Sequence, residues 1–272
     1  MQTKTDLELI VYELLRDLRK QGCIYVEMRF APQLHTQKEL TQEEAIRACE
    51  IGYKNFLNWQ AVLRDGKPAL HANFILCCMR LRGNEKENFE TVELAHKLMP
   101  ITHVVGIDLA GAETPEFAIH KYSKLFAKAK ELGVPYTIHA GEAMGPNSIR
   151  EALALGAKRI GHGIRCIEDQ NLVNKLAKDK ITLECCATSN LNTKVFDRLT
   201  KYPVRELLHE GVHVTLNTDN MTVSHTNLPT EYRRLEVKTG LLASEEKEML
   251  KNSIQASFAS PKEKQRLTAL LG

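Results

Sequence analysis

The sequence P-Y-T-I-H-A-G-E at residues 135–142 has the form of a buried β-strand that ends in two polar residues. Apolar and β-prone residues lead to His139, and Ala140 and Gly141 loosen the backbone before Glu142. A histidine and a carboxylate three residues apart at a strand end can converge above a sheet, where the imidazole can bind a metal ion and the carboxylate can reach what the metal activates. The octapeptide alone is equally consistent with a hydrogen-bonded histidine at a strand edge, followed by a glutamate at a helix N-terminus.

The rest of the chain repeats this alternation of strand and helix. Continuously apolar segments, typical of parallel strands covered on both faces, alternate with segments of helical periodicity. Four predicted helices end at a glycine just before the next strand, at Gly22, Gly133, Gly156 and Gly211. One helix is predicted to run unbroken over residues 115–132. Seven strands are predicted, at residues 23–30, 71–78, 103–110, 135–139, 158–162, 181–186 and 212–216.

This rhythm predicts an α/β protein with a TIM-type (β/α) barrel, whose active site lies at the C-terminal ends of the strands. A doubly wound sheet is the alternative, but no G-x-G-x-x-G sequence follows any predicted strand. The pattern gives seven strands where a barrel has eight, and no linker divides the chain. We therefore expect residues 1–272 to form one domain.

Composition excludes several classes of protein. A hydrophobic fraction of 43% and a charged fraction of 26% are ordinary for a globular protein, and a net charge of +3 is too small to indicate a nucleic-acid or membrane partner. No apolar run is long enough to span a bilayer, and no signal peptide is predicted. The seven cysteines lie mostly in apolar segments, which predicts packed, reduced thiols and a cytoplasmic location.

Polar residues accumulate where the predicted strands end. Scattered loop polarity would not concentrate His, Asp and Glu at these positions, so the pattern favours an active site there. The residues at these ends are Asp108, Gly111, Glu113, His139, Glu142, His162, Ser189, Asn190, Asp219 and Asn220.

Several of these residues have a structural alternative. His162, in G-H-G, could be a turn histidine, although its two glycines favour the close approach of a ligand. Asp219, in N-T-D-N, could form an Asx-turn or a helix cap, although its place after a strand favours metal binding. Asp108 could equally pair with a cation inside the fold. Arg29 and Glu27 are predicted to belong to an ion pair of the barrel.

One apparent zinc motif is rejected. Residues 209–213 read H-E-G-V-H, which matches the letters H-E-x-x-H of zinc proteases. That motif requires both histidines on one face of a continuous helix. Here Gly211 is predicted to end the helix, and His213 to begin a strand, so the two rings should point apart.

Five motifs together resemble those of the adenosine deaminase family, in order and over nearly the whole chain. They are G-I-D-L-A-G-A-E (106–113), T-I-H-A-G-E (137–142), R-I-G-H-G (159–163), T-S-N (188–190) and N-T-D-N (217–220). The resemblance implies a zinc-dependent barrel hydrolase that converts adenosine to inosine and ammonia. By motif, His139 and Asp219 would bind Zn²⁺, Asp219 would also serve in catalysis, Glu142 would exchange a proton with purine N1, and His162 would orient and help to deprotonate the water.

The resemblance also implies two substrate contacts. The backbone N–H of Gly111 would bind purine N3, and Asn220 would contact N7. Many family members have an aspartate where this chain has Asn220, but an amide can donate to N7 without being protonated first. This difference leaves open a second function, deamination of adenine or another 6-aminopurine. A barrel that binds a purine nucleoside without turnover is the third possibility.

The second difference from the family concerns its first strand, which carries an H-x-H motif and two further zinc ligands. The first histidine here is His35, and the chain contains no H-x-H. The expected eighth strand is therefore the first one, and we expect an N-terminally truncated barrel. Such a chain should bind zinc weakly, deaminate adenosine poorly and associate through its open edge.

Overall fold

A computed structural model describes all residues, Met1–Gly272. The strands are β1 (Tyr25–Phe30), β2 (His71–Met79), β3 (Val104–Ala110), β4 (Ile138–Ala140), β5 (Arg159–His162), β6 (Thr182–Cys185) and β7 (His213–Leu216). The helices are α1 (Lys4–Lys20), α2 (Gln42–Ala61), α3 (Glu85–Leu98), α4 (Ser123–Glu131), α5 (Pro146–Ala154), α6 (Gln170–Lys178), α7 (Ala187–Asn192), α8 (Val204–His209), α9 (Met221–Ser224), α10 (Leu228–Thr239), α11 (Ala243–Ala256) and α12 (Pro261–Leu271). The seven predicted strands are confirmed, although most begin one to three residues later than predicted.

The chain divides into two compact units. The first unit comprises Met1–Ala110 and Ala127–Pro135, and the second comprises Gly111–Phe126 and Tyr136–Gly272. The sheet β1-β2-β3 belongs to the first unit and the sheet β4-β5-β6-β7 to the second, and every pair of neighbouring strands is parallel. The predicted parallel arrangement is therefore confirmed, while the prediction of one domain over residues 1–272 stays a prediction.

In the first unit, a capping box begins α2, and an ion pair holds Asp108. The hydroxyl of Thr41 accepts from the N–H of Glu44, whose carboxylate accepts from the N–H of Thr41. Arg29 Nη1 lies 2.9 Å from Asp108 Oδ2, and the Asp108 side chain is fully buried. Asp108 thus has the structural partner that one of its two interpretations predicted.

In the second unit, the strand register aligns the side chains in rows. One row is apolar and fully buried: Ile138, Ile160, Leu183 and Val214. The next row, one residue further along each strand, consists of His139, Gly161, Glu184 and Thr215. Because side chains alternate along a strand, this second row faces the opposite side of the sheet. At these two rows, the sheet of the second unit is apolar on one face and carries polar groups on the other.

The single helix predicted over residues 115–132 is wrong. Residues 115–122 form two short 3₁₀ turns separated by Ala118 in an extended conformation, and only Ser123–Glu131 is α-helical. The N–H of His120 donates to Glu151 Oε2 at 3.0 Å, and the carbonyl of Glu116 accepts from Lys121 Nζ at 2.7 Å. A continuous helix would pair that N–H with that carbonyl, so side chains have replaced the helical bond.

The cysteines and the helices bear on two further predictions from the sequence, reduced thiols and the absence of a membrane span. All seven cysteines are free thiols, and burial raises the pKa of Cys49 to about 12. None of the helices combines the length and the apolar character that crossing a membrane requires.

Candidate active site

The predicted site residues of the second unit lie where its strands end. Ala140 pairs with His162, and Cys185 pairs with Leu216, so the four strands finish at one edge of the sheet. His139 belongs to β4, and Glu142 lies in the loop that follows it. Helix α7 follows β6 and carries Ser189 and Asn190, and Asp219 and Asn220 follow β7.

The structure brings Glu142, His162 and Asn190 into contact. Asn190 Nδ2 lies 3.3 Å from Glu142 Oε1 and 3.0 Å from His162 Nδ1. The Thr193 hydroxyl donates to the same Oε1 at 3.1 Å. The second carboxylate oxygen, Oε2, lies 3.5 Å from His162 Nε2, which is longer than an ordinary N–H···O hydrogen bond. Oε2 and Nε2 therefore face one another at a distance that leaves both able to bind a substrate or water.

The Asn190 amide fixes the tautomer of His162. Its NH₂ group only donates, so His162 Nδ1 must accept, and the proton of a neutral ring lies on Nε2. The amide is held in this orientation because the Tyr202 hydroxyl donates to Asn190 Oδ1 at 3.0 Å. Burial raises the pKa of that hydroxyl well above its ordinary value, so it stays a donor. Tyr202 and Asn190 hold His162 in this tautomer, a role that the sequence did not reveal.

His162 and Asn190 are almost fully enclosed, with 2% and 0% of their surface exposed. His162 also has φ of +58°, a left-handed conformation in which histidine and aspartate occur more often than most residues other than glycine. Asp219 has the same kind of backbone, with φ of +53°. Such residues cost free energy and cluster at functional sites, which agrees with the predicted importance of both residues.

Asp219 and Asn220 occupy the exposed side of the site. The Ser189 hydroxyl donates to Asp219 Oδ2 at 2.8 Å. Asn220 is the N-cap of α9, where its Oδ1 accepts from the N–H of Val223 at 3.1 Å. The capping role that the sequence offered as an alternative for Asp219 therefore belongs to Asn220. Because Oδ1 is used by the cap, Nδ2 is the end of the Asn220 amide that can donate to a ligand.

The glycines on either side of His162 make room for protein atoms, and the close approach of a ligand there stays a prediction. A Cβ at Gly161 would lie 2.8 Å from His139 Nδ1, and a Cβ at Gly163 would lie 2.5 Å from Leu183 Cδ2. The rings of His139 and His162 lie with their centroids 5.1 Å apart. Gly161 therefore allows the two imidazoles to pack side by side.

The rejection of the H-E-x-x-H motif is confirmed. His209 is the last residue of α8, and His213 is the first residue of β7. His209 Nε2 lies 2.8 Å from Glu245 Oε1 on α11, so this histidine contacts a carboxylate of another helix and not His213.

The residues present do not form a complete zinc site. His139 and Asp219 have the imidazole and carboxylate donors that zinc binds, but a catalytic zinc usually has three protein ligands. No group of three or more His, Cys, Asp or Glu side chains in residues 1–272 lies close enough to hold a metal ion.

Comparison with known proteins places the chain in a family. The profile of the family described as Adenosine deaminase matches residues 1–271. The chain is 45% identical to the adenosine deaminase of Haemophilus ducreyi over 271 residues, which is 99% of this chain and 76% of that enzyme.

Solved structures agree in fold. The crystal structure of an adenine deaminase from Arthrobacter aurescens matches with a TM-score of 0.85 and 27% identity, covering all of this chain and 80% of that one. An amidohydrolase from Burkholderia ambifaria, determined with bound Zn, matches with a TM-score of 0.87 and 21% identity, covering 100% of this chain and 73% of that one, and its likeness concerns the fold alone. These matches confirm the predicted TIM-type α/β fold class. With the profile match and the 45% identical relative, they show that this chain belongs to the adenosine deaminase family.

Proposed function

We propose that this chain is a hydrolase that deaminates adenosine, and by extension deoxyadenosine, to the corresponding inosine and ammonia. The observation that carries the proposal is the contact set at the strand ends, where the Glu142 carboxylate and the His162 imidazole face one another 3.5 Å apart. The 45% identity to an adenosine deaminase supports this substrate over others.

The reaction needs water to add at C6 of the purine while N1 gains a proton, after which ammonia leaves and C6 becomes a carbonyl. Glu142 is suited to the proton transfer at N1. Both neighbouring donors, Asn190 and Thr193, contact its Oε1, so Oε2 is the oxygen left to carry the exchangeable proton. General acid–base catalysis of this kind typically contributes about 10²–10⁴-fold to the rate.

His162 is suited to orienting the attacking water. Since its Nδ1 accepts from Asn190, Nε2–H is a donor that can hold a water oxygen beside Glu142 Oε2. Deprotonation of that water by Nε2, which the family resemblance implied, would require the other tautomer. The Asn190 contact disfavours that tautomer, so we assign His162 the orienting role alone.

Purine recognition is assigned to Gly111 and Asn220. The N–H of Gly111 would donate to N3, and the Asn220 Nδ2 group would donate to N7 while its Oδ1 caps α9. His139 and Asp219 are this chain's proposed contribution to a Zn²⁺ site. The Ser189 hydroxyl donates to Asp219 Oδ2, and we propose that Asp219 also acts on the attacking water. Zinc, when bound, would supply the acidity that makes water nucleophilic at neutral pH.

A second candidate is deamination of adenine or another 6-aminopurine. It is favoured by the structural likeness to an adenine deaminase at 27% identity and by the asparagine at position 220. Steady-state rates on adenosine, adenine and methylthioadenosine, measured with zinc supplied, separate the candidates. The highest kcat/KM is expected on adenosine. A preference for adenine would overturn the first candidate, and inosine binding without any turnover would favour a purine-binding barrel.

A further inference from the structure

The carboxylate of Glu113 is bound by the loop that carries Glu142. Four successive backbone N–H groups donate to it: Gly141 at 2.7 Å to Oε1, and Glu142 at 3.0 Å, Ala143 at 2.6 Å and Met144 at 2.9 Å to Oε2. The Ser148 hydroxyl, from α5, donates to Oε1 as well. One side chain thus satisfies every backbone donor of residues 141–144, which we call the 141–144 loop.

These bonds replace secondary structure. The loop lies between β4 and α5, where no neighbouring strand or helix carbonyl accepts from its N–H groups. Burial tends to raise the pKa of Glu113, but the bonds from Ser148 and the backbone outweigh burial and lower it. Glu113 is therefore ionised at neutral pH, the state in which both oxygens accept.

The loop is also held from the other side. Arg165 Nη1 donates to the carbonyl of Ala143, and the same guanidinium pairs with Glu168 at 2.6 Å. Gly141 has φ of +68°, and a Cβ there would lie 2.4 Å from Ile149 Cδ1. The loop therefore has little freedom to move while Glu113 is in place.

Glu113 lies two residues after Gly111, the residue assigned to purine N3. We propose that Glu113 is a positioning residue that ties the turn at Gly111 to the 141–144 loop, so that a purine held at N3 presents N1 to Glu142. This inference rests on the proposed function, because N1 and N3 belong to one ring and must be placed together. Nothing in the motif itself reveals the role, since the contacts join residues 28 to 35 positions apart.

The first test does not depend on activity. Amide hydrogen exchange of the full chain is compared with Glu113→Gln and with Glu116→Gln, a matched change at an exposed glutamate three residues away. A glutamine offers one accepting oxygen instead of two, so exchange in the 141–144 loop should speed up about tenfold or more, while β5 and β6 stay protected. Unchanged exchange in the loop would overturn the proposal.

Because Glu113→Gln could unfold the unit, Glu113→Asp is included as a second variant. It keeps the charge but is shorter by one methylene, so it should reach fewer of the four N–H groups and give an intermediate increase in exchange. Loop exchange equal to that of the unaltered chain in this variant would also count against the proposal.

The second test is a double-mutant cycle on adenosine turnover. Misplacing a catalytic group by about 1 Å costs about 10²-fold, so Glu113→Gln should lower kcat/KM by about that factor, mostly through kcat. If Glu113 acts through Glu142, the same change should cause almost no further loss in a Glu142→Gln background. Equal losses in both backgrounds would mean a general structural role and would overturn the inference, while the proposed function would stand. Absence of turnover in the unaltered chain would contradict the proposed function instead, and the exchange data would still decide on Glu113.

Discussion

The loops after β4 and β7 are built differently. In the 141–144 loop every backbone N–H has an acceptor, and the Glu142 side chain contacts Asn190 and Thr193. After β7, Asp219 and Asn220 are exposed; the Asp219 carboxylate accepts from Ser189, and the Asn220 side chain caps α9. Preorganised groups stabilise a transition state without further reordering. The difference assigns proton transfer to the rigid loop and leaves the exposed loop to be completed by what binds there.

The largest effect is expected from a substitution in the rigid 141–144 loop. Glu142→Gln removes the exchangeable proton while keeping the shape of the side chain, and kcat on adenosine should fall about 10²–10⁴-fold. Thermal stability should change little, since a glutamine Oε1 can still accept from Asn190 and Thr193. Steady-state kinetics and a melting curve, with Glu116→Gln as the control, check this expectation. A rate near that of the unaltered chain would remove Glu142 from its role.

Asn190→Ala tests whether the hydrogen bonds that join Tyr202, Asn190 and His162 support both stability and catalysis. It leaves the Tyr202 hydroxyl and His162 Nδ1 without their present partner, which should cost about 1–3 kcal/mol. Tm should fall by roughly 2–4 °C for each kcal/mol, and kcat should fall as the His162 tautomer is released. The matched change on the exposed side, Asn220→Ala, should lose the helix cap and the proposed contact to purine N7, but it leaves the His162 tautomer and therefore most of kcat unchanged. Equal losses of Tm and kcat in the two variants would contradict the contrast between the loops.

Metal content tests whether His139 and Asp219 suffice to bind zinc tightly. Two of the usual three ligands should hold zinc weakly, so the dialysed chain should contain less than one zinc per molecule. Metal analysis by mass spectrometry checks this. Stoichiometric, tightly held zinc would mean that a further donor completes the site.

Asn220→Asp sharpens the assignment of the exposed loop. An aspartate caps α9 as well as an asparagine does, so Tm should be unchanged. It can donate to N7 only when protonated, so kcat/KM of the variant should fall as pH rises through the pKa of the new carboxyl. The pH profile of the unaltered chain should lack this decline. Identical profiles would show that residue 220 does not touch N7.

The smallest effect concerns stability in acid. The pKa of Glu113 is lowered in the folded chain, so its contribution to stability is present above the ordinary carboxyl pKa and is lost as pH falls through the lowered value. The difference in unfolding free energy between the unaltered chain and Glu113→Gln should therefore shrink as pH falls from 7 to below about 4. Urea unfolding at several pH values measures it, and a constant difference would contradict the role of the charged carboxylate.

The sequence predicted the seven strands and the placing of His139, Glu142, His162 and Asp219 at strand ends, because apolar runs and helix-ending glycines are local signals. It did not predict contacts made at a distance. Tyr202 reaches Asn190 from 12 residues away, and Asn190 reaches His162 from 28. Such pairings depend on how loops meet after folding.

Local sequence patterns led to wrong or incomplete predictions where a side chain from outside the segment determines the local structure. Residues 115–132 have helical periodicity, yet Glu151 takes the N–H of His120 and the helix breaks. The glycine at position 161 suggested only an approaching ligand, whereas the ring of His139 occupies the space that a Cβ would need. In both cases the deciding partner lies more than 20 residues away in sequence, and no periodicity could name it.

The most direct test of the central claim is the fate of oxygen during turnover. The full chain, supplied with zinc, is incubated with adenosine in water enriched in heavy oxygen, and the inosine and ammonia formed are quantified by mass spectrometry and a coupled assay. Hydrolytic deamination should yield equal amounts of the two products, with one heavy oxygen in each inosine at C6. Recovery of unaltered adenosine, or of inosine without the label, would contradict it.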